Sequence, residues 1–297
     1  MKAFRYDGRP IAVPGAWAGV DIAHYHSGAL CIGPSVSSSG LKRAAKTPAH
    51  FYAYSPWNPD CEAAEDTTAL RLGKVAHVLA LEPERFRTIC AVSPYDDYRT
   101  KEAREWRDAT VDSGLIPLKA AELLPLQRMA DALRKHPDAL ALFRNGLPEL
   151  TFAAKDEATG IWMLSRPDFV PGDPGRGLVD YKTATDAGPE AFGAAAFNYG
   201  YHMQVALALD VVAAATGELR PTCWHVVQEK EPPFAVAVYR YEADQVMYGR
   251  REVRRLLDLL ARCRDAGEWP GYGEPQSIVT PFWARKEMEA NGYATAA

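Results

Sequence analysis

Residues 161–183 read IWMLSRPDFVPGDPGRGLVDYKT, and the reading of the whole chain turns on them. Two apolar runs, Ile161 to Val170 and Leu178 to Thr183, flank a connection rich in Gly and Pro, Pro171 to Gly177. Short apolar runs bounded by such turn residues are strands. Residues i and i+2 of a strand share a face. Asp180 and Lys182 are therefore expected on one face, with Val179 and Tyr181 on the other. Asp168 ends the neighbouring strand, so two carboxylates and one ammonium group converge at one end of a hairpin. Close carboxylates stay ionised together only beside a cation or a shared proton. A hard divalent ion, Mg2+ or Mn2+, suits such oxygens best. Lys182 beside it can hold a water or offset charge growing on a phosphoryl group.

The pattern extends outward from this hairpin. Glu149 to Ala154 forms a further strand, and Lys155 to Gly160 a turn, so three strands make an antiparallel meander. An Ala-rich helix is expected over 189–215. A hairpin follows over Thr222–Glu229 and Phe234–Tyr241, then a helix over Ala243–Ala266 and a Pro- and Gly-rich remainder. Upstream, Ser37 or Ser38 caps a helix that stops before Pro48. Ser55 to Asp66 is a loop. Thr67 or Thr68 opens a helix to about Leu81 that is apolar nearly all round and hence buried. His77 sits in its middle, on the face of Leu70, Gly73 and Leu81. It could supply a further metal ligand. Residues 98–112 and 118–144 have helical character, and 1–30 show no period and read as an irregular arm. This order of elements is α+β or mixed α/β.

Composition narrows the function. The chain has 297 residues, 47% apolar and 24% charged, which suits one large globular domain or two small ones. No run of 18 apolar residues spans a membrane, and Met1 to Asp7 lack the apolar core of a secretory signal. Net charge is 34 − 38 = −4. Contact with nucleic-acid phosphate therefore needs a local basic patch. Candidates are Lys42, Arg43 and Lys46; Arg99, Lys101, Arg104 and Arg107; and Arg250 to Arg255. Five scattered cysteines without a CxxC pair argue against a disulfide framework, a zinc finger and a four-cysteine iron–sulfur site. Reduced thiols in a cytoplasm are the simplest reading.

Taken singly, each residue has a plain structural role. Asp-x-Lys is common on strands, Asp168 after Arg166-Pro167 suits a turn, and a histidine on an apolar helix is most often a satisfied core residue. In the order helix His, hairpin Asp, Asp-x-Lys, they resemble the PD-(D/E)xK nuclease superfamily. Arg166-Pro167-Asp168 matches its first acidic position and Asp180-Tyr181-Lys182 its (D/E)xK element. Further segments resemble exonuclease VIII (RecE)-type phage exonucleases: Leu70 to His77 with Leu81 to Phe86, Tyr199 with Tyr201-His202-Met203-Gln204, Ser37, Ser39 and Leu41 with Pro48 to Phe51, and Trp269 to Tyr272. The likeness covers roughly residues 24–285.

The resemblance implies a restriction-endonuclease-like αβββαβ core with added N-terminal helices. The nuclease domain would span 31–285, with a helical part over 31–147 and a catalytic core over 148–266, and a tail over 286–297. The implied activity is a Mg2+-dependent exonuclease, with Mn2+ as a substitute. It would degrade linear double-stranded DNA 5′ to 3′ and leave 3′ single strands for an annealing protein. A homo-oligomeric ring in the cytoplasm of a phage- or prophage-bearing bacterium is implied too. Carried over by position, His77, Asp168, Asp180 and the Tyr181 carbonyl would bind metal, and Lys182 would orient or activate water. Gln204 and Glu149 would support catalysis, and Tyr201, Arg166 and Thr183 would touch substrate. Glu82, about 140° round the helix from His77, is not counted as a ligand. Alternatives are a related nuclease acting within DNA or on flaps, and a nuclease fold kept only for binding.

Overall fold

The segment that decides the fold is divided between two sheets. In the computed structural model, which describes residues 1–61, 68–275 and 277–293, the run Ile161–Val170 is interrupted at Arg166-Pro167-Asp168. Chain order begins with β1 (Phe4–Arg5), β2 (Gly15–Ala18), α1 (Ile22–His26), β3 (Ser35–Ser37), α2 (Ser38–Lys46) and α3 (Pro48–Ala53). A mainly helical stretch follows: α4 (Thr68–Leu81), α5 (Phe86–Ile89), β4 (Cys90–Val92), α6 (Lys101–Asp112), β5 (Ile116–Leu118), α7 (Ala120–Lys135) and α8 (Pro137–Leu142). Next come β6 (Gly146–Pro148), β7 (Thr151–Lys155), β8 (Trp162–Ser165), β9 (Phe169–Pro171) and β10 (Leu178–Ala184). The chain then runs through α9 (Pro189–Asn198), α10 (Tyr201–Thr216), β11 (Cys223–Glu229), β12 (Val236–Arg240), α11 (Ala243–Ala266) and α12 (Phe282–Ala290).

One five-stranded sheet has the order β1-β2-β7-β8-β3, and the other β12-β11-β10-β9-β6. The expected three-stranded meander is thus corrected. β8 pairs antiparallel with β7, Ser165 opposite Phe152, whereas β9 pairs antiparallel with β10, Phe169 opposite Val179. Pro167 explains the crossing: it has no N–H for a ladder and restricts the residue before it. Asp168 consequently sits where the chain passes from one sheet to the other.

The expected helix over 189–215 is also two helices. Gly200 takes a left-handed conformation, φ +64°, between α9 and α10. A Cβ there would lie 2.6 Å from Met203 Cε, the far end of a flexible side chain, so it is the left-handed conformation that calls for glycine at the break. Nor are residues 1–30 irregular throughout. β1 and β2 extend the first sheet through β7, and Ile11, Trp17, Tyr25 and Leu30 bury against Trp162 and Leu164. The C-terminal helix α12 crosses the expected boundary between residues 285 and 286. Part of the expected Ser55–Asp66 loop, and Thr67, lie outside the described residues.

The helices sort by which sheet face they cover. α10 is buried through Val205, Leu207, Val211 and Val212 and packs on the first sheet and on α11. α4 and α7 bring Val75, Leu126, Met129 and Leu133 against Val179, Tyr181 and Val226 of the second sheet. Each fully buried Leu of this kind stabilises by about 1.5–3 kcal/mol. Because Val179 and Tyr181 face α4 and α7, Asp180 and Lys182 face the opposite side, toward the N-terminus of α10.

Candidate active site

β10 and β11 run parallel over seven residues, and this register places His225 beside Asp180. Asp180 is only 3% exposed. Its Oδ2 forms an ion pair with Lys182 Nζ and lies 3.2 Å from His225 Nε2. Its Oδ1 accepts a hydrogen bond from Gln204 Nε2 at 2.8 Å. Gln204 Oε1 in turn accepts from Lys42 Nζ at 2.9 Å. Lys42 on α2 and Lys182 on β10 also lie over one aromatic ring, Tyr201, at 4.7 and 5.1 Å. Burial opposes charge on Asp180, yet Lys182 and then His225 hold its carboxyl well below the usual carboxylate range. Lys182 likewise resists burial, and Asp180 and Asp168 raise its ammonium above the ordinary lysine value. At Lys42 burial, and then the Lys182 charge, pull the group down to about 8; the Asp180 charge opposes the shift but is the smallest influence.

The second half of the site is built on α4 and the Arg166-Pro167-Asp168 crossing. His77 Nε2 is 2.8 Å from Asp168 Oδ2, and Nδ1 is 3.4 Å from Glu149 Oε1. One donor atom from each of His77, Glu149 and Asp168 falls within 4.8 Å of the others. Glu149 is not a free strand-start residue. Its backbone has φ +55°, its N–H donates to the Asp168 carbonyl, and its Oε2 accepts from Arg166 Nε at 2.6 Å. Arg166 is anchored at its other end by the Val20 carbonyl, 2.8 Å from Nη1. The Tyr181 N–H donates to Asp168 Oδ2 at 2.6 Å, which ties this half to β10. Burial alone would lower the His77 pKa, but Asp168 and Glu149 outweigh it and raise the group to about 9. Burial and Asp168 raise Glu149, against His77 and Arg166.

A cleft of about 340 Å³ opens over Asp168, Asp180 and Lys182, with Lys42, Tyr201 and Ser38 among its walls. Asp168 belongs to both the cleft and the His77 cluster. Two carboxylates and an imidazole within reach of one point form a donor set that fits a divalent cation.

The structure therefore brings together His77, Glu149, Asp168, Asp180, Lys182, Gln204, Tyr201 and Arg166. Thr183 falls, by the strand pleat, on the Tyr181 face and away from the cleft. The Tyr181 ring also points away, its hydroxyl donating to Gln228 Oε1 at 2.6 Å. Glu82 is engaged by Arg85. Of the three basic patches, the first sends Lys42 into the cleft. The others include many paired side chains: Lys101 with Glu105, Arg250 with Asp210, Arg254 with Asp156, and Arg255 with Glu252. His225 was missed. The signal available for it was a fully buried polar residue within the apolar strand Cys-Trp-His-Val-Val-Gln, which must find a partner.

No curated protein matches the sequence. Among solved structures, a "Putative exonuclease" from Eubacterium rectale superposes with a TM-score of 0.58 at 13% identity, over 85% of this chain and 92% of that one. That likeness is one of fold. An alkaline exonuclease from Laribacter hongkongensis aligns at 16% identity over 67% of this chain and 93% of that chain, with a TM-score of 0.27. A family model described as a "PDDEXK-like domain of unknown function (DUF3799)" matches residues 37–279. With most of the chain inside that match, including both acidic elements, the helix histidine and the α10 glutamine, the protein belongs to the PDDEXK-like DUF3799 family.

Proposed function

We propose that this chain is a divalent-metal-dependent deoxyribonuclease acting on the ends of linear duplex DNA. The observation that carries the reading is the meeting of Asp168, Asp180 and Lys182 in one cleft, with His77 and Glu149 behind Asp168. His77, Glu149 and Asp168 would hold the cation, with Asp180 and the Tyr181 carbonyl completing its surroundings. The ion itself, Mg2+ with Mn2+ as a substitute, would supply Lewis-acid polarisation of a phosphoryl oxygen. The protein's own groups do the rest. Lys182, kept charged by Asp180, stands where it can orient a water or balance charge growing on the phosphate. Gln204 fixes the Asp180 carboxylate in one orientation and links it to Lys42. Lys42 and Tyr201 line the wall against which a phosphate and its sugar would rest. Arg166 holds Glu149 in place.

The finer reading follows the family likeness: digestion from the 5′ end, 3′ single strands passed to an annealing protein, a homo-oligomeric ring, and work in the cytoplasm of a phage- or prophage-bearing bacterium. A time course on linear duplex labelled at the 5′ or the 3′ terminus, with and without Mg2+, tests it. Release of the 5′ label first, only with Mg2+, supports the proposal. Equal cleavage of closed circular DNA points instead to an endonuclease. No cleavage with either cation, together with retained DNA binding, points to a binding module.

A further inference from the structure

We propose that His225 is a positioning residue for the reaction: its Nε2–H holds Oδ2 of Asp180, so that the carboxylate keeps its place when Lys182 turns from it toward water or phosphate. The inference rests on the nuclease reading and adds a residue that reading does not use. His225 lies within β11, directly opposite Asp180 in the parallel register with β10. Its neighbours Trp224 and Val226 pack into the cluster with α4 and α7, so the imidazole projects to the other face of the sheet, the Asp180 face. Cys223 and Val227 flank it on that face, both buried and apolar. His225 itself is fully buried. The rings of Phe192, Tyr201 and Tyr241 pack against it at steep angles, with centroids 5.9, 5.3 and 5.3 Å away.

A histidine among such rings is costly unless a polar group meets it. Tyr239, opposite His225 on its other flank, is committed elsewhere, its hydroxyl donating to the Ala187 carbonyl. Asp180 Oδ2 lies 3.2 Å from His225 Nε2. Among the described residues neither ring nitrogen has an aligned hydrogen bond, and neither has Asp180 Oδ2, to which Lys182 is drawn as an ion pair. Oδ1 is already held by Gln204. The two unmet atoms therefore face each other, and a small turn of the carboxylate aligns them once Lys182 withdraws. A carboxylate has lone pairs enough to accept from Gln204 and His225 and still face a cation. Lys182, 20% exposed to the cleft, can then move without leaving a buried charge unpaired. The imidazole, closed in by rings, stays where it is.

The test is Mn2+ binding by the full chain without DNA, read from the loss of the free-ion signal in electron paramagnetic resonance, for wild type, His225→Phe, His225→Gln and His225→Asn. Phe keeps the ring and its packing but has no donor. Gln places an amide N–H near the Nε2 position, whereas Asn places it near Nδ1. Outer partners of a metal-ligating group are worth roughly 10- to 100-fold in affinity. His225→Phe and His225→Asn should lose that much, and His225→Gln should keep most of it. Urea midpoints in chelator check that each variant is folded. If His225→Phe does not fold, the Gln and Asn pair decides, since those two differ in where the amide lies. Equal affinity in all the variants overturns the inference alone and leaves His225 as a packing residue. Loss in all three without rescue by Gln also overturns it, because shape rather than the Nε2 donor then matters. Absence of Mn2+ binding by wild type is a different failure: it overturns the metal-dependent reading, and the inference with it. Long-range proton–nitrogen spectra of the imidazole in chelator give a readout free of metal: the Nε2–H tautomer is expected, and Nδ1–H with bare Nε2 overturns the inference whatever the ion does.

Discussion

Replacing Lys182 by Met removes the cation from Asp180 while keeping most of the side-chain volume. Asp180 is 3% exposed and would retain only Gln204 Nε2 and the neighbouring His225. Taking one partner from a buried ion pair costs about 3–5 kcal/mol, because the other charge is left buried and uncompensated. The Lys182 side chain is 20% exposed to the cleft, so water can enter behind it and the lower figure applies. With a urea dependence of about 3 kcal/mol per molar, a loss of about 3 kcal/mol moves the unfolding midpoint down by about 1 M. Adding Asp180→Asn removes the orphaned charge, and the double variant should recover about 2 kcal/mol of the loss. Urea titrations of all four proteins in chelator at pH 7, followed by far-UV circular dichroism, give the cycle. The sign with pH is fixed. The folded pKa of Asp180 is depressed, so its stabilisation is present above the ordinary carboxylate value and lost as pH falls through the folded value. In Lys182→Met burial instead favours the neutral acid, so the deficit should shrink on acidification. A coupling energy below about 0.5 kcal/mol, the scatter of independent sites, would refute this account of the pair.

Three further outcomes follow from the same geometry. Lys42, pulled down to about 8, should lose its charge as pH rises past that value, so DNA affinity in chelator should fall between pH 7 and 9. Lys42→Arg should flatten that profile in anisotropy titrations, and an unchanged slope counts against Lys42 as a phosphate contact. His77 is raised from 6.5 to about 9, so its stabilisation of the metal-free chain is complete below 6.5 and lost as pH rises through about 9. His77→Asn should remove that decline from thermal melts recorded across the same range. Gly249 of α11 sits so close to the His202 carbonyl that an added Cβ would overlap it. Gly249→Ala should therefore destabilise by about 1–3 kcal/mol through separation of α10 and α11, and an unchanged urea midpoint would show that the helices part freely.

What could be read from the sequence was what is encoded locally. Helix α11 has the expected bounds, 243–266, because an amphipathic period runs between a polar start and Gly267. The pleat put Asp180 and Lys182 on one face before any partner strand was known. The failures share a cause. Whether Ile161–Val170 is one strand or two depends on which sheet each half joins: β3 and β7 partner the first half, β6 and β10 the second. β1 and β2 are two and four residues long; β1 pairs with β2, and β2 joins the sheet through β7. The break at Tyr199-Gly200 carries no strong local signal, since one glycine costs a helix only about 1 kcal/mol. The packing of Lys42 against that turn is not visible locally. His225 escaped notice because its meaning comes from a parallel register with β10, set across the α9–α10 crossover.

The charges of the site bear on whether the fold needs its cation. Three carboxylates, Glu149, Asp168 and Asp180, face three cationic partners: Arg166 on Glu149, His77 on Asp168 and Lys182 on Asp180. With His77 raised to about 9, all three partners carry charge at neutral pH, and the cluster is balanced by the chain's own groups. A structural metal site differs, since its ligands have no internal substitute and chelation unfolds the domain. Here chelation should abolish cleavage while leaving a cooperative thermal transition and an unchanged far-UV spectrum. A divalent ion at ten times its dissociation constant should then add only about 1.4 kcal/mol, the mass-action value for a ligand of the native state. Calorimetry in chelator and in excess Mg2+ measures both quantities. Collapse of the transition in chelator would mean that the side chains around Asp168 cannot carry their charges alone, and that the cation is part of the fold.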